Sequence, residues 1–325
     1  MAAEKLLTQA EAVGDAGLAI DAHTKLGQTC LHLGDLVGAR LHLERALAGS
    51  DPDDEAALRG LPRVAAYLAW ALWYGGEPAQ CAQRCDDALR FADAAASPHS
   101  SAFALGYVGW LQLMRGDALR AQDVARRQAS LSAEYGLVYW RLLAEFTLGS
   151  AAVRQGDLLL GIELMRRAIA SMRATGAQVG APYLLCLLAE AELADGGVER
   201  ARATLEDASA SMAATGNALY AAEALRLQGE LARQADTGRA GLRRAERRFT
   251  AALACARRQG ARALELRAAT SLARLWSERG ESGRGRALLA PVCAAFGVDV
   301  ETADLVRARG LLEEMTVASE ASPRT

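Results

Sequence analysis

Glu190 and Glu230 lie 40 residues apart. Carboxylates at such a step, on helices packed about 8–10 Å from each other, could flank a bound molecule and share acid–base work. Arg226 and Arg233 stand within a turn of Glu230, so arginine can equally bridge the two acids, which is the commoner arrangement. Cys81 and Cys85 are four apart, on one helix face. A metal would need two more ligands at comparable spacing, and none is found, so these cysteines read as small packing residues. His23, His32, His42 and His99 form no ligand set, and no Ser–His–acid or Cys–His spacing points to a nucleophile. A GxxxxGK[ST] phosphate loop is missing, and neither Lys5 nor Lys25 sits in such a context. The expectation is no metal and no cofactor.

Helices must position these groups, and glycine marks where the helices end. Gly34, Gly76, Gly116, Gly156 and Gly196 follow one another at intervals of 42, 40, 40 and 40 residues. Gly136, Gly176, Gly216 and Gly260 run out of phase with them at 40, 40 and 44. Two series with one period mean two turns per repeat, hence a helical hairpin stacked about seven times. Acids follow the first series at Asp35, Glu77, Asp117 and Asp157, where they would cap the second helix of each hairpin.

Within each hairpin the first helix, A, carries a small residue midway, as in Leu26-Gly27 and Leu148-Gly149. It lets a neighbouring helix approach closely. The second helix, B, carries a small–large–small trio: Ala39, Leu43, Ala46; Gly161, Met165, Ala168; Ala201, Leu205, Ala208; Ala245, Phe249, Ala252. Cys81, Cys85 and Ala88 fill the same places in the second hairpin. The third fits poorly, because Gln128 falls where a small residue belongs.

Composition agrees with one helical array. Hydrophobic residues make up 51% of 325, prolines number only 7, and alanine and leucine outnumber β-branched residues. Net charge is −2 with acids and bases interleaved, which argues against nucleic acid as the partner. No signal peptide or transmembrane-length apolar run is present, so the expected location is cytoplasmic, away from the membrane. Residues 1–316 are expected to form a single solenoid, with an orphan helix at 1–14 and a capping helix at 302–315. Residues 317–325 read as a flexible tail.

The midway Leu-Gly pair and the B-helix trio resemble the tetratricopeptide repeat (TPR), although the period exceeds the usual TPR length of about 34. The resemblance implies an all-α, right-handed α-solenoid of about seven TPR-like hairpins. Residues 224–231 (ALRLQGEL), 248–260 (RFTAALACARRQG), 265–276 (ELRAATSLARLW) and 286–291 (RALLAP) resemble more narrowly the C-terminal TPR region of large bacterial signalling ATPases. Segments 67–73 (YLAWALW) and 180–190 (GAPYLLCLLAE) fit the same family. With no phosphate loop, the chain would be such a tail alone or a free-standing relative.

In a TPR superhelix the A helices line the concave face. By that resemblance the groove positions are Arg63, Tyr67, Trp70, Trp73 and Tyr74; Phe103, Tyr107, Trp110 and Met114; Phe146, Ser150 and Arg154; Tyr183, Leu187 and Glu190. Charged positions follow at Glu223, Arg226, Glu230, Arg233, Arg267, Arg274 and Glu278. Aromatics are 5% of the chain, yet many fall on this face. Either they pack between helices as core, or they form an apolar groove for a partner helix or a flat hydrophobic molecule. Three functions follow: a scaffold or regulatory module binding a protein or peptide, a sensor of a small molecule or peptide, or an enzyme using Glu190 and Glu230. Glu192 stands out as an acid where TPR helices carry apolar residues.

Overall fold

The computed structural model describes residues 2–54, 58–178, 180–297 and 300–320. Helix α1 (Ala2–Val13) precedes seven antiparallel hairpins. These are α2 (Ala16–Leu33) with α3 (Leu36–Gly49), α4 (Leu61–Tyr74) with α5 (Pro78–Ala94), and α6 (Pro98–Arg115) with α7 (Ala118–Glu134). Then come α8 (Val138–Arg154) with α9 (Leu158–Ala174), and α10 (Ala181–Ala194) with α11 (Val198–Thr215). The last two are α12 (Ala221–Ala235) with α13 (Arg239–Gln259), and α14 (Arg262–Glu278) with α15 (Ser282–Ala294). Helix α16 (Ala303–Glu320) closes the array, and no strand occurs among the described residues. It runs past residue 316, where the sequence pattern ends; the rest of the expected tail, 321–325, lies outside the described residues.

The turns follow from glycine chemistry. Gly34, Gly116 and Gly156 adopt φ of 80°, 88° and 95°, a left-handed conformation that an L side chain enters only at a cost. The aspartates after them cap the next helix: Asp35, Asp117 and Asp157 accept the amides of Gly38, Arg120 and Leu160 at 2.9, 3.0 and 3.3 Å. Glu77 does not cap α5. Its carboxylate is taken by Arg40 and, at 2.6 Å, by Gln80, and Pro78 offers no amide at the first helical position.

The trios are the hairpin cores. Leu43, Met165, Leu205 and Phe249 are buried with their small flanking residues, as are Cys81 and Cys85, and all six cysteines are free thiols. Gly27 lets Leu43 rest on bare backbone, since a Cβ there would lie 2.5 Å from Leu43 Cγ. Gln128 is accommodated in the third hairpin by a complementary gap: Gly106 faces it, and its Nε2 donates to the Ala102 carbonyl at 3.0 Å. The apolar interior falls into two clusters, both packed against Leu225.

The stack winds tightly enough to meet itself, each of the first three hairpins touching the unit five places on. The His32 carbonyl accepts the amides of Ala218 and Leu219 at 2.8 and 3.2 Å, and Gln259 donates to the Ala218 carbonyl at 2.7 Å. Helix α4 packs on α14. The turn glycine Gly76 faces Arg262 and Phe296, and Gly116 faces Ala303 of α16. No helix among the described residues is long and apolar enough to cross a membrane.

Candidate functional site

Spacings of three and four residues place Tyr67, Trp70 and Tyr74 together on α4, and Phe103, Tyr107 and Trp110 on α6. The A helices stack, so these rings meet. Trp70 lies 4.9 Å from Tyr107 and 5.3 Å from Trp110, Trp110 lies 5.0 Å from Tyr183, and Tyr183 lies 4.9 Å from Tyr220, between ring centroids. Tyr107 and Tyr67 share a hydroxyl contact of 3.2 Å, and Gln28 donates to Tyr67 at 3.0 Å. Trp70 and Trp110 are each 2% exposed, and Tyr67, Trp73, Tyr74, Phe103, Tyr107 and Tyr183 are buried too. They form no open apolar surface: the rings pack on one another and on Tyr220, and α14 lies against α4. Phe146 is wholly buried between helices, and Arg63 is exposed outside any cavity at this face.

What remains open is a charged cavity of about 410 Å³ beside the aromatic cluster. It gathers Met114 from α6, Ser150 and Arg154 from α8, Leu187 and Glu190 from α10, and Arg226, Glu230 and Arg233 from α12. Helix α14 adds Arg267, Ser271 and Arg274, and α16 adds Asp304 and Arg307. Thus Met114, Arg154, Glu190, Arg226 and Glu230 of the expected groove come together here.

Ion pairs organise the wall. Arg226 reaches Glu223 at 2.6 Å, Glu190 at 2.8 Å and Glu230 at 3.6 Å. Arg267 pairs with Glu190 and, at 3.1 Å, with Glu223. Arg233 pairs with Glu230 and Glu278, both at 3.3 Å, and Ser271 donates to Glu230 at 2.7 Å. Burial alone would push the Glu190 carboxyl up, but Arg267, Arg226 and Arg154 outweigh it and hold it at about 2. Glu190 is therefore ionised throughout the neutral range and unsuited to pass a proton there, and Arg226 stands between it and Glu230. Arg154 and Arg274 make no ion pair among the described residues.

Beside the aromatic cluster the cavity adjoins a slot of about 40 Å³ lined by Trp73, Tyr74, Tyr183, Tyr220 and Leu264, and by Glu223 and Arg267. The Tyr183 hydroxyl and Ser150 Oγ are buried without a hydrogen-bond partner. Tyr220 enters from the start of α12, off the A-helix stripe, and Asp304 and Arg307 from the polar side of the capping helix. Their only sequence signals are an aromatic just before a helix and an acid–arginine pair three apart. Glu192 stays out of the cavity: 1% exposed, it accepts from Arg166 at 2.5 and 3.0 Å and from Thr204 at 2.7 Å. His23 and His42 meet through Nδ1 atoms 2.9 Å apart, while His32 belongs to the closing seam. No group of three or more His, Cys, Asp or Glu that could hold a metal occurs among the described residues.

No family model and no curated protein matches the chain. Solved structures match its fold. The Rap conjugation gene regulator of the plasmid pLS20, in complex with the Phr* peptide, superposes with a TM-score of 0.67 at 13% identity, over 97% of this chain and 79% of its own. A Rap protein complexed with Competence and Sporulation Factor gives 0.64 at 11%, over 92% and 77%. NprR in complex with its cognate peptide NprX gives 0.57 at 13%, over 94% and 89%. At these identities the likeness establishes an all-helical, TPR-like solenoid.

Proposed function

We propose that this chain is a regulatory scaffold that binds a peptide, or an extended segment of a protein, in the concave cavity. The observation that carries the reading is that A helices from hairpins three to seven and the capping helix converge on one charged cavity with an apolar end. Proteins of similar fold have been solved with Phr* and NprX peptides, which supports it. The likeness of residues 224–291 to the TPR regions of large bacterial signalling ATPases points to the same regulatory role, in the cytoplasm. An enzyme reading draws no support from Glu190, which the arginines keep ionised.

The test is retention of a labelled pool of random short peptides. Wild-type protein should retain a subset that Arg274→Glu does not, with both proteins showing the same circular dichroism. If no peptide is retained, or the variant retains the same ones, the cavity is not a peptide site.

A further inference from the structure

The joined cavity and slot hold six arginines against four carboxylates, Glu190, Glu223, Glu230 and Asp304. The surplus corresponds to Arg154 and Arg274, the two arginines without an ion pair. Arg154 lies one turn beyond Ser150 on α8, so both project to the same face. Ser150 is 5% exposed and Tyr183 4%, and the hydroxyl of each lacks a partner. A buried, unsatisfied hydroxyl is disfavoured. Ser150 lines the cavity, Tyr183 the slot and Arg154 both, so two hydroxyls and a guanidinium outside any ion pair are left to donate to one acceptor. Apolar groups lie next to them: Met114 and Leu187 line both the cavity and the slot, and Trp73 and Tyr220 line the slot.

We infer that Arg154, Ser150 and Tyr183 form a receptor for a carboxylate carried on an apolar stem, the carboxylate meeting these three donors and the stem entering the slot. The assignment rests on reading the cavity as a ligand site, and it names the chemistry recognised there. A carboxylate accepts from the two hydroxyls and from guanidinium in charge-assisted bonds, and the nearby acids Glu190 and Glu223 are already paired with Arg226 and Arg267. The position of Arg154 also agrees electrostatically, since it, with Arg267, draws the Tyr183 phenol back from the rise that burial imposes. Two sources offer this chemistry: the free C-terminus of a peptide ending in an apolar residue, and a small branched fatty acid.

Three probes separate the possibilities: a short alanine peptide ending in leucine with a free carboxylate, the same peptide as its C-terminal amide, and isocaproate. Binding is followed by calorimetry and by the rise in melting temperature that a native-state ligand produces. Wild-type protein should bind the acid peptide or isocaproate, and the amide at least about tenfold more weakly than the acid peptide. Arg154→Gln and Tyr183→Phe should each remove most of the preference for the carboxylate. Both variants should fold, since Arg154 makes no ion pair, Arg226 and Arg267 remain beside Glu190, and Tyr183→Phe deletes only an unsatisfied hydroxyl. If acid and amide peptides bind equally, the cavity is a peptide site but the carboxylate receptor is wrong. If isocaproate binds and neither peptide does, with the variants losing it, the receptor stands and the peptide reading falls. Binding of neither acid, or variants that keep the wild-type preference, overturns the inference.

Discussion

Ala218 donates its backbone amide to the carbonyl of His32 at 2.8 Å, joining the end of the first hairpin's A helix to the entry of the sixth hairpin. A TPR-like stack need not touch itself, and here it does. The contact bears on the candidate site: Tyr220, two residues on, packs against Trp70 and Tyr74 and helps close the aromatic stripe, while the charged end of the concave face stays open.

The seam carries a titratable group. Burial holds the His32 imidazole below its ordinary 6.5, so the folded state keeps it neutral while the unfolded chain takes a proton. Its folded pKa is depressed, so the stability tied to the neutral ring is fully present above 6.5 and is lost as pH falls below that value. Melting temperature should drop on acidification through this range in wild type, and less in His32→Gln. Equal slopes in the two proteins would contradict the assignment.

Glu190 governs a lower window. Its carboxyl is held at about 2 against an ordinary 4.5, so the stability it lends is complete above 4.5 and disappears as pH falls to about 2. Because the side chain is 35% exposed, the contribution is about 1–2 kcal/mol after solvent screening. Urea unfolding at several pH values should show Glu190→Gln less stable at neutral pH and with a shallower loss in acid. A variant that follows the wild-type curve would mean the arginines do not stabilise the ionised acid.

Turn glycines should differ in sensitivity. An added Cβ at Gly156 meets nothing within 4 Å, whereas at Gly116 it lies 2.8 Å from the Ala303 Cβ. Gly156→Ala should cost about 1 kcal/mol from backbone strain alone. Gly116→Ala should cost clearly more, because it also presses α16 away. Chemical denaturation of the two variants checks this, and equal losses would show that α16 yields freely.

Trp70→Ala and Trp110→Ala each remove a ring from a closed cluster. Losses of about 3–5 kcal/mol are expected, with lower melting temperatures, while Arg63→Ala, on α4 with Trp70, should stay within about 0.5 kcal/mol of wild type. Tryptophan variants that melt like wild type would place these rings at an open surface instead.

The repeat was legible because left-handed turns demand glycine, and the demand recurs every 40 residues or so. The B-helix trios were legible for a similar reason: close packing restricts residue size. Gln128 broke the pattern because its compensation, Gly106, sits on the partner helix. The seam left no comparable mark. Beyond the side chains of Gln259, Arg262 and Phe296 it is made of a carbonyl, two amides and glycine turns, groups that every repeat possesses. The accessibility of the aromatics depended on that seam, so their projection onto the A-helix face was recoverable from the sequence and their burial was not. Arg154, Glu190, Arg226 and Glu230 could be placed on one face through the resemblance to TPR hairpins. Tyr220, Asp304 and Arg307 could not, since they reach the cavity from outside the repeating register.

Linear repeat arrays are modular: a unit can be inserted or deleted and its neighbours merely shift along. The step of five between touching units removes that freedom here. Deleting the fourth, fifth or sixth hairpin would set His32 against a different loop and bring Gly116 opposite nothing. The number of hairpins between the two ends is thereby fixed by geometry, and duplication or loss of one would be felt along the whole seam at once.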